Sequence, residues 1–335
     1  MRHYHAMNVP KARLQQFLVP LCSLLLLLAA VMVPHNENRR RLRIAPGVWP
    51  GSEALLLAYA QKKLPEDRFQ MIELPWSSAV MHALSNGAAD VAVVSLDGVL
   101  RMREGGQQLR VLMVLDESAG ADMLMTRKES TKVAELKGKR VGVDIRGVGA
   151  YLLLHALESA GMRMSDIQVV QLIQSEMQGA VESGEVDAVV VAEPWVAGMN
   201  AAGMHSVFDS KQLMIPIVRV LVASKQALEQ FRPELTLLMQ AQVEMTRLLR
   251  TGKPFPGMEM VLRREGVQFE DFRSGLNHWR PLNAEQNAAM LGGGHPGLVQ
   301  MAATMEEQML RGGLLRSRPA AAVWIDATLY REALP

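Results

Sequence analysis

The sequence predicts an α/β protein built as two similar lobes, and three observations point there. The stretch Asp90 to Asp97 reads Asp-Val-Ala-Val-Val-Ser-Leu-Asp, and 97 residues later Asp187 to Pro194 reads Asp-Ala-Val-Val-Val-Ala-Glu-Pro. Upstream, Ala83-Leu84-Ser85-Asn86-Gly87 faces Ala180-Val181-Glu182-Ser183-Gly184 at the same offset, so each aspartate follows a helix end and a glycine stop. Further back, Arg43-Ile44-Ala45 aligns with Arg140-Val141-Gly142, and Met71-Ile72-Glu73 with Gln168-Val169-Val170. Apolar runs without polar alternation suit strands covered on both faces, as in a parallel sheet. A shared βα composition is the competing explanation for the likeness.

Taken in order, a first strand at Leu42 to Ala45 is broken by Pro46-Gly47-Val48-Trp49-Pro50-Gly51, with Ser52 placed to cap a helix running to about Lys63. A strand from Phe69 to Leu74 leads through Pro75-Trp76 to an N-cap signal at Ser77-Ser78 and a helix to Asn86. After the strand at Asp90, Leu109 to Leu115 and Met123 to Thr126 flank a polar crossing, Asp116 to Asp122. Arg140 to Val143 opens the second copy, and Gly147-Val148-Gly149-Ala150-Tyr151 starts its first helix. Ile217 to Ala223 carries the chain back, and the helical remainder, with Pro233 to Arg250 its longest run, is expected to pack on the first lobe.

The chain has 335 residues, enough for two cores, and its net charge of +2 is too small to argue for nucleic acid. One cysteine, Cys22, excludes an internal disulfide and a thiolate metal cluster. It lies in the apolar segment Phe17 to Val33, behind Arg2, Lys11 and Arg13, a pattern that signals export. No small-x-small cleavage site closes the run. The expectation is an uncleaved anchor over residues 14–33 that tethers a periplasmic body to the inner membrane, with a cleaved signal peptide as the alternative.

Trp49, on the loop after the first strand, offers either a rigid apolar wall to a small ligand or ordinary packing. Free N–H groups at Gly147 to Gly149 could seat an anion. The position three residues after Gly149 is Leu152, so the dinucleotide-binding spacing is not met. Ser78 is read as a cap that could also touch a ligand. Asp97, Asp122 and Glu193 are the acidic candidates, favouring a cationic or hydrogen-bond-donating ligand. His82 and His155 have no second ligand at metal spacing, and no nucleophile–base pair stands at recognisable spacing. Neither metal, cofactor nor catalysis is expected.

These residues together resemble a known group. The order of Trp49-Pro50-Gly51, Asn86 to Asp90, Ser95-Leu96-Asp97, Leu115 to Asp122, Leu136-Lys137-Gly138-Lys139-Arg140-Val141-Gly142-Val143, Gly149-Ala150-Tyr151, Val186 to Val190 and Glu193-Pro194 is similar to that of the substrate-binding proteins of ABC importers in the nitrate, sulfonate and taurine branch. That branch also holds the thiamine-pyrimidine-precursor binders. The resemblance spans roughly residues 41 to 330. It implies a periplasmic-binding fold of the second type, with two inter-lobe crossings and a hinge-closing cleft. Residues 1–38 would then be the anchor and spacer, 39–120 and 222–335 the first lobe, and 121–221 the second. Family ligand contacts fall here on Trp49, Ser95 to Asp97, Gly149 to Tyr151 and Glu193. The implied partners are a small polar solute and ABC permease subunits, the receptor acting as a monomer. The acids Asp97, Asp122 and Glu193 turn the expected ligand from a bare oxyanion toward an amine, a pyrimidine or a zwitterion. A ligand-sensing module and a cleft enzyme on the same fold are the alternative functions.

Overall fold

The computed structural model describes residues 40–74, 76–127, 132–292, 297–321 and 323–334. Its strands form two sheets, and each is built around the repeated unit. In the first sheet, β1 (Leu42–Ala45) lies between β2 (Phe69–Met71) and β3 (Val91–Ser95), all parallel. β10 (Val218–Ser224) inserts antiparallel between β3 and β4 (Leu109–Ser118), and β11 (Trp279–Pro281) closes the edge. In the second sheet, β6 (Arg140–Val143) lies parallel between β7 (Gln168–Gln171) and β8 (Ala188–Ala192). β5 (Asp122–Thr126) pairs antiparallel with both β8 and β9 (His205–Asp209). The chain crosses between the sheets after β4 and returns before β10, so the first sheet resumes at Val218, four residues ahead of the boundary expected at 222, and β3 and β8 are buried along their whole length.

The repeat is physical as well as sequential. Arg43 N–H and Nε both donate to Asp90 Oδ2 (3.0 and 2.9 Å), and Nη2 donates to Oδ1 at 2.9 Å. Arg140 treats Asp187 in the same way, at 2.9, 3.2 and 3.1 Å. In both copies the aspartate N–H returns a bond of 2.8 Å to the arginine carbonyl. A fork-on-carboxylate clamp thus fixes the start of the parallel pair in each lobe. The Arg140 hydrogen bonds hold the Asp187 carboxyl below the usual carboxylate range. The helices before the clamps, α2 (Ser77–Ser85) and α5 (Gln174–Glu182), keep the 97-residue offset and end at Gly87 and Gly184, both with φ of +74°. Only a residue without Cβ takes that conformation freely.

The offset slips at the second strand. β1 pairs Arg43 with Gln70, whereas β6 pairs Arg140 with Gln168, so β7 is displaced by one residue from the alignment of Met71 with Gln168. One extra residue lies between β6 and β7. Other boundaries shift too: α1 (Glu53–Ala60) ends before Lys63, and β4 runs on to Ser118, leaving Ala119 to Ala121 as the turn. The long helix α8 (Arg232–Leu249) packs against α1, and α13 (Ala327–Ala333) packs on α8 and β4. The expected anchor, residues 14–33, lies outside the described residues. Among the described residues no helix is long and apolar enough to cross a membrane.

The two clamps differ in burial: the Asp90 side chain is 5% exposed and that of Asp187 35%. Asp90→Ala should cost about 2 to 3 kcal/mol, because it removes a buried carboxylate that meets three donors of Arg43. Asp187→Ala should cost about 1 kcal/mol, its charge being screened by water. Urea unfolding of the two variants checks this, and equal losses would contradict it.

Candidate binding cleft

The cleft is built from the carboxyl ends of the parallel strands, where open α/β sheets place their ligands. In the first lobe the chain leaves β1 through Pro46 to Gly51, turning at Gly47 with φ of +70°. Trp49 is carried inward and is 4% exposed. Its indole N–H reaches both oxygens of Asp116, at 3.1 and 3.0 Å. Gly51 makes that approach possible, since a Cβ there would lie 2.0 Å from Asp116 Oδ2. Ser52 does not cap α1: its hydroxyl donates to the carbonyl of Trp49 at 2.8 Å and so pins the loop. Arg264 holds the same loop from outside, donating to Gly47 O at 2.6 Å and pairing with buried Glu53. Burial pushes the Glu53 carboxyl up to about 8, against the pull of Arg264.

Arg219, on β10, lies over the Trp49 ring with its guanidinium carbon 3.1 Å from the ring centre. Nη2 donates to both oxygens of Asp122 at 3.2 Å. Nη1 is buried and has no hydrogen-bond partner among the described residues. Burial pushes the Asp116 carboxyl up to about 6, opposed by the charge of Arg219 and the tryptophan N–H groups.

The second lobe closes the space from the other side. Glu193, joined to Pro194 by a cis peptide, follows β8, and its N–H donates to Ala121 O at 2.9 Å. His278 Nδ1, just before β11, lies 3.1 Å from Glu193 Oε1 and joins the two lobes. Gln174 is fixed by its amide, which accepts from Ala192 N (3.0 Å) and donates to Val190 O (3.3 Å). A Cβ on Gly147 would come 2.8 Å from Ser77 Oγ, so the rims of the lobes meet. What remains between them is a cavity of about 70 Å³, walled by Trp49, Trp76 and Trp195 with Ser77, Ser95, Gln174, Glu193 and Arg219. Its wall thus presents three flat apolar surfaces, several neutral polar groups, the Glu193 carboxylate beside His278, and one guanidinium with an unmet donor among the described residues.

The family model described as NMT1/THI5 like matches residues 70–244. The chain belongs to that family. A protein of Escherichia coli (strain K12), provisionally named an aliphatic sulfonates-binding protein, is 26% identical over 196 residues, which is 56% of this chain and 61% of that relative. The chain therefore spans less than two thirds of the length of this curated relative. The taurine-binding periplasmic protein of the same organism is 26% identical over 138 residues, 41% of this chain and 42% of the relative. Among solved structures, the alkanesulfonate-binding protein SsuA of Xanthomonas axonopodis pv. citri, bound to MOPS, superposes with a TM-score of 0.70 at 21% identity. That match covers 85% of this chain and 98% of SsuA, and it shows that this NMT1/THI5-like chain has the two-lobe α/β periplasmic-binding fold.

Of the residues singled out in the sequence, Trp49, Ser95 and Glu193 line the cavity. Asp122 stands behind it, spent on Arg219. The others lie elsewhere. Asp97 is 1% exposed in the first turn of α3 (Leu96–Glu104), 3.6 Å from Arg101 one turn on, and does not line the cavity. Ser78 borders a separate groove beside Arg101 and Arg146. Gly149 opens α4 (Gly149–Ser159) tightly packed, where a Cβ would meet Val143 and Val190 at 3.2 Å. Tyr151 is buried and its hydroxyl donates to Gln308 Oε1 at 2.8 Å. The helix start thus serves packing in this structure. The residues that sequence reasoning passed over are Arg219, Trp76, Trp195 and Gln174. For Arg219 a signal existed: it is the sole charge in the apolar run Ile217 to Ala223.

Asp116 makes stability depend on pH. Its folded value of about 6 stands above the ordinary aspartate value of 3.8, so the native state holds the proton more tightly than the unfolded chain. That contribution is complete below about pH 4 and is lost as pH rises through 6. It amounts to about 3 kcal/mol. Asp116→Asn, which cannot ionise, should therefore gain on the unsubstituted protein between pH 4 and 7. Unfolding free energies measured across that range check it; parallel curves would contradict the assignment.

Proposed function

We propose that this chain is the extracytoplasmic solute-binding component of an ABC importer and that its cleft takes a small organosulfonate. The observation that carries the ligand class is Arg219 Nη1, a buried donor on a permanent cation, in the wall of the cavity and without an acceptor. An unmet charged donor is costly away from water, and an anionic oxygen from a ligand would relieve it. Ser77, Ser95 and Gln174 can address further oxygens of a tetrahedral head group, while the tryptophans accept a short carbon tail. The arrangement of the acids favours an anion over the amine or pyrimidine that the sequence suggested. Asp122 is neutralised by Arg219, Asp97 is withdrawn, and Glu193 has His278 beside it. An amine would meet a guanidinium.

The family membership, the names of the two Escherichia coli relatives and the fold shared with SsuA support the transport reading. The periplasmic relative and the apolar segment Phe17 to Val33 support an extracytoplasmic place, with residues 14–33 as tether. The mechanism is hinge closure, without chemical change to the ligand. Trp49, Ser95 and Arg219 come from one lobe and Gln174, Glu193 and Trp195 from the other, so a ligand touching both favours the closed state by its differential affinity. A permease would then recognise the closed form.

Isothermal titration should show binding of taurine or a short alkanesulfonate and none of aminopyrimidines or polyamines. Arg219→Lys keeps the charge but loses the fork, and should raise the sulfonate Kd about 10- to 100-fold. Binding of an amine or pyrimidine with silence from every sulfonate would overturn the ligand class while leaving the fold untouched.

A further inference from the structure

We propose that the first lobe carries a second small-molecule site, for an amphipathic organic acid, lying behind the loop that holds Trp49. A cavity of about 280 Å³ lies between α8, β4, α13 and the helix Ala284–Leu291, and it shares no lining residue with the cleft. Its walls are largely apolar, with Met113, Leu115, Val243 and Leu282 among them. At one end stand Arg247 and Arg250, three residues apart on α8 and its C-cap and therefore on neighbouring positions of the helix surface. Neither has a side-chain hydrogen bond or ion pair among the described residues.

The second observation is Gln242, on the same wall and 1% exposed. Its Nε2 donates to Gly51 O at 2.9 Å and to Thr246 Oγ1 at 3.2 Å, which fixes the amide orientation. Its Oε1 is then buried with no donor to meet it. Arginines in a last helical turn complement the helix dipole, which would explain their position. It does not explain an unmet acceptor at the other end of an apolar cavity. Eight residues separate Gln242 from Arg250, about 12 Å along the axis. The complement to this set is a molecule with an anionic head, a medium-length hydrocarbon body and a hydrogen-bond donor at its far end. Because Gln242 also holds Gly51 O, the occupant would bear on the loop that positions Trp49.

Isothermal titration of the full chain with 8-hydroxyoctanoate, octanoate and 1-octanol tests the site. Both acids should bind, the hydroxy acid severalfold more tightly, and the alcohol at least tenfold more weakly. The double substitution Arg247→Gln, Arg250→Gln, at two exposed positions of the cavity mouth, should weaken both acids at least tenfold, and Val243→Trp, which fills the cavity, should abolish their binding. Arg219→Lys in the cleft should leave the affinity for octanoate unchanged. Absence of acid binding to the unsubstituted chain, or acid binding unaltered by the Arg247 and Arg250 substitutions, would overturn the proposal. A loss of octanoate binding in Arg219→Lys would assign the acids to the cleft and overturn it equally.

Discussion

A cation buried where the two lobes meet governs the rest of the cleft. Arg219 is 7% exposed, and a charge so far from water must be met by hydrogen bonds and an opposite charge. Asp122 provides the second through Nη2, and the Trp49 ring covers the guanidinium face, an interaction strengthened when the pair is desolvated. Trp49 in turn is oriented by Asp116, and Asp116 can come that close only because position 51 has no side chain. Each member fixes the next, so one donor of the guanidinium is left in a fixed direction. A preorganised charge of that kind gains affinity because little ordering remains to be done on binding.

The repeated unit explains how such a site can be assembled from two lobes. The Arg43–Asp90 and Arg140–Asp187 clamps tie together the starts of the parallel strands, at the end of each sheet away from the cleft. The opposite ends are free to diverge. One leads into the Trp49 loop and Ser95, the other into the Glu193–Pro194 turn. The clamps are alike because both lobes need the same register, whereas the strand ends differ because they face one ligand from two directions.

That division also decides what was legible in the sequence. Elements held by local chemistry could be read: the aspartate after a glycine stop, the buried β-branched runs, and the break at Pro46 to Gly51. The slip of one residue at β7 could not, because periodicity records which face a residue takes and not how many residues a connection holds. Charges were harder. Asp97, Asp122 and Glu193 look equivalent as letters, yet one packs against Arg101, one is neutralised by Arg219, and only Glu193 lines the cavity. For Asp122 and Glu193, partners 97 and 85 residues away set the role and leave no local signature, whereas the pairing of Asp97 with Arg101 one turn on is local. Arg219 was the readable exception, since a single arginine in a buried strand has to have a reason to be there.

On the reading proposed above, closure would give the cavity its selectivity. With the rims meeting at Ser77 and Gly147 and His278 beside Glu193, the space between the lobes is about 70 Å³. A site that needs about 10–15 Å³ of such space for one water leaves room here for a head group and a short tail only. A longer ligand could still touch Arg219, but it would hold the lobes apart and forfeit the contacts from the second lobe. On the reading proposed above, size would be sensed by the closing motion and charge by Arg219, whose carboxylate partner Asp122 stands on the second sheet. The lobe–lobe contacts at Glu193 and Ser77 would then have to stay weak, since a strong latch would close an empty receptor and remove the difference between bound and free forms on which delivery would depend.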